Sequence, residues 1–131
     1  AVEREASFLE RTKALGREDI LVRHCHIKPD DLDRTLGMLL EELPQPAGIA
    51  FHSDLMAYRA LELCRRRGLV PGEDIHLLGY DDLPQTGLLG LSTIAQPMQQ
   101  LGTEAARCIL SGPTRLQKWL KPRLVVRQST R

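Results

Sequence analysis

Aromatic side chains make up only 4% of this 131-residue chain, which excludes a core of stacked rings and leaves aliphatic packing to carry the fold. Charge of one sign is equally scarce. Lys and Arg total 18 and Asp and Glu total 17, so the formal charge is +1, too balanced for bulk attraction to nucleic acid. Any strong DNA contact therefore has to lie outside these residues. No apolar run approaches the roughly 20 residues that a spanning helix needs, and the opening AVEREASFLER lacks the apolar stretch of a secretion signal. Cys25, Cys64 and Cys108 are odd in number and widely spaced, which reads as reduced packing residues and a cytoplasmic setting rather than a disulfide framework. No GxSxG, GxGxxG or GxxxxGKS pattern occurs, so neither a nucleophile elbow nor a phosphate loop announces an enzyme, and no cofactor is implied.

What is present is ordinary globular usage, 42% hydrophobic and 27% charged, enough for one folded domain around one core. Val2, Ala6, Leu9 and Leu15 recur at helical spacing, in a chain that opens without a start Met or a convincing cap, as if inside an element. Asp19 to His26 reads as a strand whose phase shifts before Cys25 and Ile27. Pro29, Asp30 and Asp31 start a helix with Leu32, Leu36, Leu39, Leu40 and Leu43 on one face, ended by Pro44 and Pro46. Gly48 to Phe51 is a short apolar strand, and a helix with Met56, Ala60, Leu61 and Cys64 inward then runs to Gly68. Asp74 to Tyr80 is the next strand, Leu83 to Leu91 a loop, Ser92 to Ala95 a short strand and Met98 to Leu110 a helix. Ser111 to Thr114 breaks that helix, and Leu124 to Val126 reads as a last strand. The alternation predicts an α/β domain, a parallel sheet with helices on both faces and right-handed crossovers.

Ligands of open α/β sheets bind at the carboxyl ends of the strands, so the residues after each apolar run are the candidates. Those ends supply His24 and His26, then His52, Ser53 and Asp54, then Asp81 and Asp82. Carboxylates accept from hydroxyls, and Ser and His donate or accept, a set suited to a small hydroxylated ligand. Ser53 and Asp54 fit a helix cap as well as a ligand contact, whereas Asp81 has no obvious helix to cap and Asp82 reads as the holder of the following loop. His24, Cys25 and His26 lack a second cluster at ligand spacing, so no metal site is expected. His76 within its apolar strand reads as a partnered core or edge residue, and Arg65, Arg66 and Arg67 as a solvated helix end.

Residues 53 to 106, SDLMAYRALELCRRRGLVPGEDIHLLGYDDLPQTGLLGLSTIAQPMQQLGTEAA, resemble the effector-binding domain of LacI/GalR family transcription regulators. The shared pattern is a strand-end polar pair before a helix, a Gly-Leu-x-x-Pro-x-Asp turn, a Gly-(Tyr/Phe)-Asp-Asp strand end, a Thr-Ile-x-Gln-Pro crossover and a Leu-Gly-x-x-Ala helix. RLVVRQST at 123 to 130 is similar to the closing strand, and REASF at 4 to 8 to a helix start in which Ser7 replaces a glycine. The resemblance implies a periplasmic-binding-protein type I-like fold of two α/β subdomains with the effector between them. On that reading residues 1–95 form the second subdomain, 96–118 the crossover and a helix belonging to the first, and 119–131 the closing strand and tail. The helix-turn-helix module and first subdomain are expected outside this chain, and the uncovered 98–110 helix is expected to dimerise or exchange segments, which light scattering tests.

Carried over by position, Arg4 matches a cleft arginine that contacts effector oxygens, Asp81 an aspartate accepting from hydroxyls or amines, and Gln96 the crossover position at the hinge. Ser53 and Asp54 take the strand-end pair, with Ser53 where many members have a sugar-binding Asn, a departure that argues against an ordinary hexose. His26 and Ile27 fall near a wall position that is often acidic or aromatic. The resemblance implies a non-enzymatic, cytoplasmic regulator, a homodimer that binds a sugar or related polar metabolite, touches no membrane and reads DNA only through its other module. The alternatives are a periplasmic solute-binding protein, which would be exported, and a small α/β enzyme using Asp81 and Asp82.

Overall fold

The structure is a computed structural model and describes residues 2–26, 28–44, 46–112 and 117–131. Helix boundaries follow proline, acid and glycine placement. α1 (Val2–Ala14) has Glu3 and Glu5 in its first turn and Arg11 and Lys13 in its last, each opposite in sign to the dipole end it meets. α2 (Pro29–Glu42) opens on Pro29, whose missing N–H costs nothing in a first turn, beside Asp30 and Asp31. Its inward stripe buries Leu32 and Leu36 almost completely, and each such leucine contributes roughly 1.5–3 kcal/mol.

β1 (Ala47–Ala50) leads into α3 (Asp54–Arg67), which ends at Gly68 with a left-handed φ of 70° that glycine adopts without a Cβ clash. β2 (Ile75–Asp81), α4 (Pro84–Leu88), β3 (Ser92–Ala95), α5 (Met98–Leu110) and β4 (Arg123–Val125) follow, and a short 3-10 turn, Gln128–Thr130, ends the described elements. The sheet order is β1-β2-β3-β4, parallel from β1 to β3 and antiparallel at β4. Leu32 and Leu36 of α2, Ala57, Ala60 and Cys64 of α3, Ile75 and Leu77 of β2, and Leu91 form the core. Burial pushes the Cys64 thiol above its ordinary range, as expected of a packing residue. Among the described residues no helix is long and apolar enough to cross a membrane.

Two expectations are corrected. Residues 19–26 form no strand. Ile20 and Val22 are half-buried two apart but Cys25 comes three later, so no single face of an extended segment collects the apolar side chains. The polar groups there turn to local partners instead, His26 N–H to Asp31 Oδ2 at 2.8 Å and Arg23 to Glu42 at 2.8 Å. The 83–91 loop contains α4, a single helical turn started by Pro84 and tied down through buried Thr86. Ile27, Pro113 and Thr114, which the sequence placed in a strand and a break, lie outside the described residues.

α5 spans its predicted residues but buries none of them. Leu101 is 40% exposed, Ile109 81% and Leu110 85%, so its apolar stripe has no cover within the described residues.

Candidate functional site

The parallel register fixes what meets at the carboxyl end of the sheet. Ala50 stands beside Leu78, which sets His52 level with Tyr80 and Ser53 level with Asp81, and Asp81 stands beside Ala95, which puts it next to Gln96. Gln96 Nε2 donates to Asp81 Oδ1 at 2.6 Å, and Asp81 and Gln96 are half-buried. From the other side α1 brings in Arg4, whose Nη2 lies 2.7 Å from His52 Nε2 and whose Nη1 donates to the His52 carbonyl at 3.3 Å. The Arg4 guanidinium carbon stands 4.0 Å from the centroid of the Tyr80 ring, a cation-π contact. Ser53 is extended, half-buried and makes no side-chain cap bond, so its hydroxyl stands at the strand end without serving the helix.

Asp54 departs from its expected ligand-facing role. It is fully buried, with Oδ2 accepting from Leu83 N–H at 2.8 Å and Thr86 Oγ1 at 2.9 Å, and Oδ1 accepting from Thr93 Oγ1 at 2.7 Å. Because the one proton of Thr86 goes to Asp54, the 2.6 Å contact between Thr86 Oγ1 and Tyr58 must be donated by the phenol. Burial holds the Tyr58 phenol above its ordinary range. Gly79 passes so close that a Cβ there would fall 2.1 Å from Asp54 Oδ1, which only glycine avoids.

This carboxylate sets the strand end. Asp81 has φ 120° and Asp82 φ 58°, both in the left-handed region where an L side chain is strained by about 1–3 kcal/mol. Three restraints hold that turn: Gln96 on Asp81, Asp54 on the Leu83 amide, and Arg127 Nη2 on Asp82 Oδ1 at 2.8 Å. Asp82 therefore holds the segment that follows, as its sequence position suggests, through an arginine 45 residues away. The sequence reading lacked His52 and Tyr80 as partners of Arg4, and Thr86, Thr93 and Arg127 as partners of the aspartates. Only the strand-end placement of His52 and Tyr80 in the sequence hinted at them.

His24 reaches Glu5 at 3.5 Å, away from the Asp81 pair, and among the described residues no three His, Cys, Asp or Glu gather as a metal cluster. A concavity of about 310 Å³ lined by Pro71, Gly72, Glu73, Gln128 and Arg131, and one of about 320 Å³ beside α5, include none of the strand-end residues. The strand ends thus present one cationic group stacked on an aromatic ring, a free serine hydroxyl and an aspartate with one oxygen engaged. That set can donate to and accept from hydroxyls without bond making.

Known proteins share this fold. The profile of the periplasmic binding protein-like domain family matches residues 1–130. The ribose operon repressor of Bacillus subtilis (strain 168) is 43% identical over 74 residues, 55% of this chain and 23% of that protein. The HTH-type transcriptional repressor CytR of Escherichia coli (strain K12) is 37% identical over 105 residues, 75% of this chain and 31% of that protein. The chain thus spans less than a third of either relative. The crystal structure of a LacI family transcriptional regulator from Arthrobacter sp. FB24, in complex with lactose, superposes with a TM-score of 0.78 at 29% identity, covering 93% of this chain and 48% of that one. This chain belongs to the periplasmic binding protein-like domain family, in the form carried by LacI-type transcription regulators.

Proposed function

We propose that the chain is the carboxyl-terminal part of the effector-binding domain of a LacI-type regulator, sensing a sugar or related polar metabolite. The observation that carries this reading is the convergence, at the carboxyl ends of β1, β2 and β3, of Arg4, Ser53, Asp81 and Gln96. Arg4 donates to effector oxygens, Asp81 accepts from effector hydroxyls through its free oxygen, Ser53 does either, and Gln96 fixes Asp81 at the crossover. Asp54 contributes by shaping the 81–83 turn from inside. Scarcity of aromatics on this half leaves ring stacking to the opposite subdomain, and the uncovered face of α5 is proposed to pack there.

Signalling on this reading needs no covalent step. An effector touching both subdomains favours the closed arrangement by its differential affinity and so changes the spacing of paired DNA-reading modules in a cytoplasmic homodimer. A thermal-shift screen of the full-length protein against sugars, sugar acids, polyols and purines tests it. A hit at a hundredfold excess over its Kd stabilises by about 2.7 kcal/mol and raises the midpoint, and Asp81→Ala is expected to lose that shift. No hit across the panel, with the fold intact, refutes the proposed effector class.

A further inference from the structure

The Arg4–His52 contact has a defined hydrogen-bond direction. A guanidinium nitrogen carries only hydrogens to give, so across the 2.7 Å contact His52 Nε2 is the acceptor. Accepting there requires a neutral ring with its proton on Nδ1. The second Arg4 bond, at 3.3 Å, goes to the carbonyl of the same residue, and the Tyr80 ring supports the guanidinium face. Two of the three contacts that hold Arg4 therefore belong to His52. A proton on Nε2 turns the acceptor into a donor and sets two cations against each other.

Nearby carboxylates are committed elsewhere. Glu5, next to Arg4 on α1, faces His24 at 3.5 Å; Asp81 of β2 accepts from Gln96; Asp54, behind Ser53, turns its carboxylate inward to Leu83, Thr86 and Thr93. Tyr80 of β2 offers its ring to Arg4. Among the described residues no Asp or Glu stands within ion-pair distance of His52 to offset its charge.

We propose that His52 is the positioning residue of the effector site: neutral, it holds Arg4 across the strand ends, and protonated, it releases Arg4, so that effector affinity falls with pH. The sign follows from the contact itself, which exists only with the ring neutral and is lost on acidification. The inference rests on the effector-binding reading above, but its local half, the neutral ring holding Arg4, does not.

Two arms separate these. In the first, the ligand-free full-length protein labelled with 15N-histidine and 15N-arginine is followed by NMR from roughly pH 8 to 5, the span over which imidazoles as a class change charge. The expected result is an Nδ1-protonated His52 at pH 8 with slowed exchange of the Arg4 guanidinium protons, which speeds up on acidification. In the second, calorimetry with D-ribose and with lactose compares pH 8 and pH 5. Wild type is expected to lose about tenfold in affinity at pH 5, the equivalent of one charge-assisted hydrogen bond. His52→Gln, whose amide oxygen accepts from Arg4 without titrating, is expected to keep the pH 8 affinity and flatten the profile, whereas His52→Leu binds about tenfold more weakly at both pH values. An Nε2-protonated neutral ring, a wild-type affinity that ignores pH, or undiminished binding by His52→Leu overturns the inference. Should neither sugar bind at any pH, ribose and lactose fall as effectors, and the NMR arm alone decides whether His52 holds Arg4.

Discussion

α2 and α5 are helices of nearly equal length with comparable apolar stripes, yet one is sealed into the core and the other buries nothing. The difference is not in their sequences. α2 meets α3, with Arg67 Nη1 donating to the Gly37 carbonyl at 3.3 Å and Arg59 pairing with Asp33 at 2.6 Å, whereas α5 leaves the sheet after Pro97 and meets solvent. Amphipathic spacing states that a helix needs cover; it does not state where that cover comes from.

The sharpest way to break the covered region is through its buried hub. Asp54→Ala orphans the Leu83 amide and the Thr86 and Thr93 hydroxyls, and is expected to cost on the order of 4 kcal/mol in urea unfolding. A comparison within one experiment on these 131 residues alone, without the subdomain proposed to cover α5, follows: Leu36→Ala in α2 should cost roughly 2–5 kcal/mol, while Ile109→Ala in α5 should stay within about 0.5 kcal/mol. A large loss for Ile109→Ala, growing on dilution, would instead reveal a second copy covering α5. The smallest effect concerns the exposed turn before α2. The His26 amide, and after it Arg34, hold the Asp31 carboxyl below its ordinary range. That carboxylate supports the turn above the unfolded carboxylate range and its support is lost as pH falls through the lowered value. The protection factor for hydrogen exchange at the His26 amide is expected to fall with pH in wild type and to stay flat in Asp31→Asn.

Much of the fold was legible because local signals agreed with tertiary ones. Pro29, Gly68 and the apolar run 74–80 mark α2, α3 and β2 within a residue or so, and α5 matches its predicted span. The 19–26 strand failed because β-branched composition without a steady two-residue phase does not secure a place in a sheet. At the site, strand-end position led to Ser53 and Asp81, whereas Arg4 and Gln96 came only through the family resemblance. Asp54 was harder: an aspartate after a strand looks the same whether it faces solvent or turns inward, and only the threonines 32 and 39 residues later decide it. Arg127 on Asp82 is equally remote and left no local mark.

Ser129, one residue of the final 3-10 turn, donates its hydroxyl to the Leu77 carbonyl of β2 at 2.6 Å and accepts from the Ser92 amide at the start of β3 at 2.9 Å. Its own amide reaches back to Gly90 at 3.0 Å, and Ser92 Oγ meets Thr130 at 2.6 Å. On a ribosome the chain appears from its amino end, so these polar groups of β2 and β3 wait for their partners until residues 129 and 130 have been made. The sheet that carries the candidate site is therefore fastened only once residues 129 and 130 have emerged, and its closure waits on them rather than on the appearance of its own strands.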